Sequence, residues 1–192
     1  TDYTVSYSNN TDVGTAGVTI TGTGNYSGSL ETSFEIIPID TSGLNLDPIA
    51  DQLFNGSELT PSVHVTDGDT TLAEGTDYTV SYSNNTGVGT AMVTVELQNG
   101  YSGILETTFE ITPKDVSALT IDPVSDREYT GLAITPSTSL QNGGVSLTEG
   151  TDYTVSYSNN TDVGTAGVTI TGTGNYSGSL ETTFEITPKD VS

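Results

Sequence analysis

Aspartates gather at two places in the sequence, 75 residues apart. Asp40, Asp47 and Asp51 flank the first, Asp115, Asp122 and Asp126 flank the second, and Asp190 opens what reads as a third. Three carboxylates close to a joint between repeats could hold Ca2+, a hard cation that takes oxygen ligands and accepts backbone carbonyls and water alongside carboxylates. Calcium there would stiffen the joint. The same residues also suit turns: Asp hydrogen-bonds to nearby backbone, and Asp47-Pro48 and Asp122-Pro123 are turn dipeptides. No D-x-D-x-D-G loop accompanies them. Lys114, Arg127 and Lys189 are the only Lys or Arg residues in the chain and all stand at the joints, where they compete for the same carboxylates. Ile39 and Gln52 stand in place of Lys114 and Arg127 at the first joint, which makes it the better calcium candidate.

Other groupings offer less chemistry. "GTGNYSG" at 22–28 follows a strand-like run, as phosphate-binding loops do, but no helix follows to supply a dipole. The middle copy reads "LQNGYSG" at 97–103, so only Tyr-Ser-Gly persists, which points to a tight turn with an anchoring tyrosine. "DGDT" at 67–70 and the pairs Glu74/Asp77 and Glu149/Asp152 bring carboxylates together, as acid–base catalysis requires. They fall between short strands, and "DGD" becomes "NGG" at 142–144, so these too read as turns. His64 is the only histidine and its counterpart is Ser139, too few partners for a zinc site or a catalytic triad. The expectation is a protein that is not an enzyme.

Charge narrows the partners. With 25 Asp and Glu against 3 Lys and Arg, the net charge is −22. Such a surface repels nucleic acid and anionic lipid. The chain has no cysteine, hence no disulfide framework, and no apolar run approaches the roughly 18 residues of a membrane helix. No membrane insertion is expected in this segment. The opening "TDYTV" is not a translation start, which reads as a mature or excised segment.

The elements that carry these residues repeat. "TDYTVSYSNNT" occurs at 1–11 and 151–161, and at 76–86 with the same spacing. A second block, Asp-Pro followed by Thr-Pro-Ser, occurs only at 47–62 and 122–137. Residues 1–42 and 151–192 differ at four positions (33, 37, 39 and 41), whereas 41–75 and 116–150 agree at 13 of 35. Tyr3, Val5 and Tyr7 alternate with Thr4 and Ser6; Ala16, Val18 and Ile20 alternate with Gly17 and Thr19; Leu30, Thr32, Phe34 and Ile36 alternate with Glu31, Ser33 and Glu35. A period of two argues for half-buried strands. Turn residues interrupt every 8–12 positions, and no 3.6-residue period appears. The expected fold is all-β, with about seven short strands per repeat in a two-sheet sandwich.

The pattern "L.EGTDYTVSYSNNT.VGTA.VTITGTGNYSG.L..TFEI.P" resembles bacterial immunoglobulin-like repeats, which build the stalks of large secreted and cell-surface proteins, often adhesins. Asp77-Tyr78, Asn84-Asn85, Val88-Gly89-Thr90-Ala91, Tyr101-Ser102-Gly103 and Phe109 carry the resemblance, with equivalents 75 residues either way. It implies tandem Ig-like β-sandwiches arranged end to end as an elongated rod, and a spacing role at the cell surface or in a secreted protein. Family repeats end after "F.I.P", so domains are expected at 41–115 and 116–192, with 1–40 a partial repeat that has only the second half. Expected partners are the neighbouring repeats of the same long chain. Two alternatives remain open: a subunit that joins other copies into a fibre by strand complementation, and a glycan- or protein-binding module.

Overall fold

The computed structural model describes residues 2–190 and 192. Among these the chain is all-β, with two single 3-10 turns at Thr41–Gly43 and Val116–Ala118 and no α-helix. In residues 2–40, β1 (Tyr3–Ser8), β2 (Gly14–Gly22) and β3 (Ser29–Ile36) form an antiparallel sheet in that order. Seven strands follow: β4 (Leu44–Leu46), β5 (Gln52–Leu53), β6 (Val65–Asp67), β7 (Thr70–Thr71), β8 (Tyr78–Ser83), β9 (Gly89–Leu97) and β10 (Ile104–Thr112). They make one sheet in the order β4-β6-β7 and another in the order β5-β10-β9-β8. The remainder holds β11 (Lys114–Asp115), β12 (Thr120–Ile121), β13 (Arg127–Glu128), β14 (Leu140–Asn142), β15 (Val145–Ser146), β16 (Tyr153–Ser158), β17 (Gly164–Gly172), β18 (Tyr176–Ser177) and β19 (Ser179–Thr187). Their sheets run β12-β14-β15, β13-β19-β17-β16 and β11-β18. The sheet orders therefore recur along with the sequence repeat.

Register recurs as well. Tyr3, Val5 and Tyr7 face Gly22, Ile20 and Val18; Tyr153, Val155 and Tyr157 face Gly172, Ile170 and Val168 in the same way. Phe34 stands opposite Ala16, and Phe184 opposite Ala166, so a small residue always lies across from the aromatic ring. Because side chains alternate between the faces, a slip by one residue would turn this apolar set outward, and the pattern holds the register. Gly14, Gly89 and Gly164 open β2, β9 and β17 at φ 133, 132 and 134, a backbone that L side chains rarely adopt. The hairpin before each of them uses Asn9, Asn84 or Asn159 at φ 51, 56 and 52, the left-handed conformation asparagine tolerates best after glycine.

Contacts divide the chain into two compact units. The first comprises Thr1–Ala50, Thr60–Ser83 and Ala91–Phe109. Its core contains Val63, Val65, Leu72, Tyr78, Val93, Val95 and Phe109, all buried. The second comprises Asp51–Leu59, Asn84–Thr90 and Glu110–Ser192. There Ala166, Val168, Phe184 and Ile186 form a buried cluster, against which Val124, Tyr129 and Ile134 pack. Each such side chain, taken from water, contributes about 1.5–3 kcal/mol. The packing is sandwich-like: apolar faces of strands from different sheets turned inward, polar residues outward.

Candidate functional site

Each of the six joint aspartates has a separate structural task, and the tasks repeat. Asp40 and Asp115 cap the two 3-10 turns, accepting hydrogen bonds from the backbone N–H of Ser42 at 2.9 Å and Ser117 at 2.8 Å. The Ser42 hydroxyl and N–H hold the Asp40 carboxyl below its ordinary range; the Ser117 N–H and hydroxyl do the same for Asp115. Asp51 accepts from the N–H of Glu110, and Asp126 from that of Glu185 at 3.0 Å. Asp47 accepts from the Asn45 amide at 2.9 Å, and Asp122 from the Gln141 amide at 3.4 Å. Among the described residues, no group of three or more His, Cys, Asp and Glu is gathered in a way that could hold a metal ion. Asp190 repeats the capping bond with Ser192 at 2.9 Å.

The other acidic groupings lie in turns. Asp67 ends β6, Gly68 turns at φ 55, and β7 returns antiparallel, so "DGDT" is a hairpin turn. Asp77 accepts from Ala73 N–H and Asp152 from Thr148 N–H, both at 2.8 Å, closing the turn before β8 and β16. His64 is exposed just before β6, and its carbonyl accepts from Asp47 N–H. Tyr-Ser-Gly proves to be a strand-pairing element. Ile39 makes a parallel bridge to Tyr101, with N–H bonds from Ile39 to Gly100 and from Ser102 to Ile39. Lys114 pairs with Tyr176 in the same way. The glycine leaves room for this approach: a Cβ on Gly103 would meet Thr41, and one on Gly178 would collide with the Asp115 carboxylate. The sequence pattern marked the turn but carried no sign of this pairing, which links residues more than 60 positions apart.

Tyrosines and asparagines tie the two halves of a repeat together. Tyr78 and Tyr82 donate to the carbonyls of Val63 and Pro61 at 2.9 and 2.5 Å. Tyr153 and Tyr157 do the same to Thr138 and Pro136 at 3.3 and 2.5 Å. Asn85 and Asn160 donate to Leu59 and Ile134, both at 3.0 Å. Burial, then nearby carboxylates, raise the hydroxyls of Tyr78 and Tyr82 above the usual tyrosine value; for Tyr157 burial leads and Glu149 adds to it.

In residues 2–40 the same side chains lack these partners. Tyr3 is 54% exposed where Tyr153 is 2%, Tyr26 63% where Tyr176 is 7%, and Phe34 44% where Phe184 is 3%. Between them lies an open groove of about 420 Å³ whose walls include Tyr3, Ile20, Tyr26 and Leu30. This apolar face of β1–β3, with the free edge of β3, is the candidate site. Its chemistry is that of a binding surface: apolar area, unpaired strand edge and tyrosine hydroxyls ready to donate.

No family model matches the chain, and no curated protein matches it. No helix among the described residues is long and apolar enough to cross a membrane.

Proposed function

We propose that the chain is a structural segment of a long extracellular repeat protein, a stalk or fibre that spaces or projects an adhesive or other functional region from the cell surface. In this reading 41–115 and 116–192 are Ig-like sandwich repeats set end to end, and 1–40 is a partial repeat. The observation that carries it is the recurring joint: residues 39 and 114 leave one repeat already hydrogen-bonded to Tyr101 and Tyr176 of the next. A spacer needs such joints; an enzyme or a receptor has no use for their repetition. The use of each joint aspartate for local structure agrees with it. The neighbouring repeats of the same chain are then its main partners, with no catalytic role for the segment.

Small-angle scattering tests this. The chain should be monomeric, and adding a further copy of residues 116–190 should lengthen the particle by a fixed increment at constant cross-section. Growth in cross-section would sink the reading. A second reading, assembly by strand complementation, is favoured by one observation, the uncovered face of β1–β3.

A further inference from the structure

The two joints use the same tyrosine but different turns in front of it. The turn before β18 reads Thr173-Gly174-Asn175-Tyr176; its counterpart at the other joint reads Gln98-Asn99-Gly100-Tyr101. Each closes on the tyrosine N–H, bonded to Thr173 at 3.1 Å and to Gln98 at 3.3 Å. Each also offers a carbonyl to the incoming chain: Asn175 accepts from Lys114 N–H at 3.1 Å, Gly100 from Ile39 N–H at 2.9 Å. Their backbones differ. Asn99 and Gly100 both take positive φ, 48 and 99, which demands glycine at the second place. Of the other pair only Gly174 does so, at φ 62, and Asn175 keeps an ordinary backbone. Asn175 can therefore send a side chain across its joint, and Gly100 cannot.

That side chain is received by the loop 86–89 of the preceding repeat. Asn175 Oδ1 accepts from Val88 N–H at 2.9 Å, and beside it the buried Phe54 sets its ring edge-on to Tyr176 at 5.6 Å. All of these residues lie in the second compact unit. Asn142 steadies Tyr176 from its own repeat, donating to the hydroxyl at 3.3 Å while accepting from Lys114 Nζ at 2.6 Å. Gly87 stands where the other two copies of the loop have Asp12 and Asp162. Its backbone is outside the left-handed region, so conformation does not require the glycine. Its neighbour does: a Cβ there would lie 3.4 Å from Asn175 Oδ1, and a carboxylate on it would set acceptor against acceptor. At the other joint the roles are exchanged. Asp12 and Gly100 line one cleft, with the side chain on the loop and the glycine on the turn.

We propose that these two positions form a matching code on the surface where one repeat receives the next. A loop with glycine takes a Gly-Asn-Tyr turn, and a loop with aspartate takes an Asn-Gly-Tyr turn. The partner that fits loop 86–89 is thus a repeat whose turn places asparagine before the tyrosine. Aspartate against asparagine crowds two acceptors, and glycine against glycine leaves the Val88 amide without its bond. The code decides which copies can be neighbours, and it rests on the end-to-end reading given above.

A double-mutant cycle on the full chain tests it, read by the hydrogen-exchange protection of the Val88 amide. Both variants suit the fold, since aspartate already occupies the place of Gly87 in the other copies and alanine suits the backbone of Asn175. Asn175→Ala should lower the protection of Val88 by roughly fivefold, the loss of one hydrogen bond. Gly87→Asp should lower it similarly while Asn175 is present and change little once Asn175→Ala is in place. At the other joint, Asn99→Gly with Gly100→Asn should lower the protection of the Ile39 amide, and adding Asp12→Gly should restore it. Additive effects in the cycle, unchanged Val88 protection in Asn175→Ala, or no rescue by Asp12→Gly would overturn the code. The stalk reading is judged separately by particle length: the code can fail while added repeats still lengthen the particle.

Discussion

Asn84 and Asn85 are neighbours with different tasks. The first turns the backbone at φ 56, and the second sends its amide to Leu59 across the repeat. Tyr82 and Tyr157 act likewise across the repeat, and their hydroxyls carry a pH signature. Their folded pKa lies above the ordinary 10.0, first because burial disfavours the phenolate. A raised value of this kind contributes stability that is complete below about pH 10 and is lost as pH climbs through the folded value. Stability measured by denaturant should therefore hold up to about pH 10 and fall above it, and Tyr157→Phe should flatten the fall while costing about 1 kcal/mol near neutrality. Equal slopes for both proteins would remove Tyr157 as the source. Thr138 is the opposite case. Its hydroxyl oxygen is buried without a hydrogen-bond partner, where the equivalent position in the preceding repeat is the buried Val63. Thr138→Val should stabilise the protein by about 1 kcal/mol, seen as a higher urea midpoint at unchanged slope. A lower midpoint would mean the hydroxyl does find a partner.

Long alternating runs were the legible elements. β1, β9 and β17 follow from period-two apolar residues bounded by Asn-Asn and Gly, and residues 41–115 hold eight strands, β4 to β11, close to the seven or so the turn spacing suggests. The short strands were not legible. Gln52–Leu53 and Arg127–Glu128 pair with β10 and β19 over two residues, in parallel, and two residues carry no periodicity. Val63 and Val65 alternate with His64 as strand residues do, but only Val65 belongs to β6; Val63 is buried beside it in irregular chain. The candidate site was half legible. The repeat marked Tyr3, Tyr26 and Phe34 as counterparts of Tyr153, Tyr176 and Phe184, while the joint pairing at Tyr101 and Tyr176 depends on tertiary approach and left no local trace. That pairing can be broken singly. Ile39→Pro removes the N–H that bonds Gly100 at 2.9 Å, which should cost about 1 kcal/mol locally. The Ser102 amide, which donates to Ile39, should then exchange faster, with Ser177 in the other joint unchanged as the internal control. Unaltered exchange at Ser102 would show that the joint does not rely on this bond.

At the scale of the whole molecule, a charge of −22 opposes compactness. Added salt screens that repulsion over about 8 Å at physiological ionic strength, so the melting temperature should rise with NaCl. Because the six joint aspartates are engaged one by one in turns and strand edges, calcium should add nothing beyond its ionic strength. Melts in CaCl2 and in NaCl with chelator, matched for ionic strength, should coincide; a calcium-specific rise would mean that the carboxylates regroup around an ion.

The parallel pairing of β13 with β19 has one more consequence. β13 lies near the beginning of residues 116–190 and β19 near their end, side by side and pointing the same way. Tension drawn through Val116 and Lys189 would drag the two strands past each other along their length. The ladder, the Tyr129–Thr187 bond and the Glu185–Asp126 bond are then loaded in shear and must yield together, where strands peeled from one end would part a bond at a time.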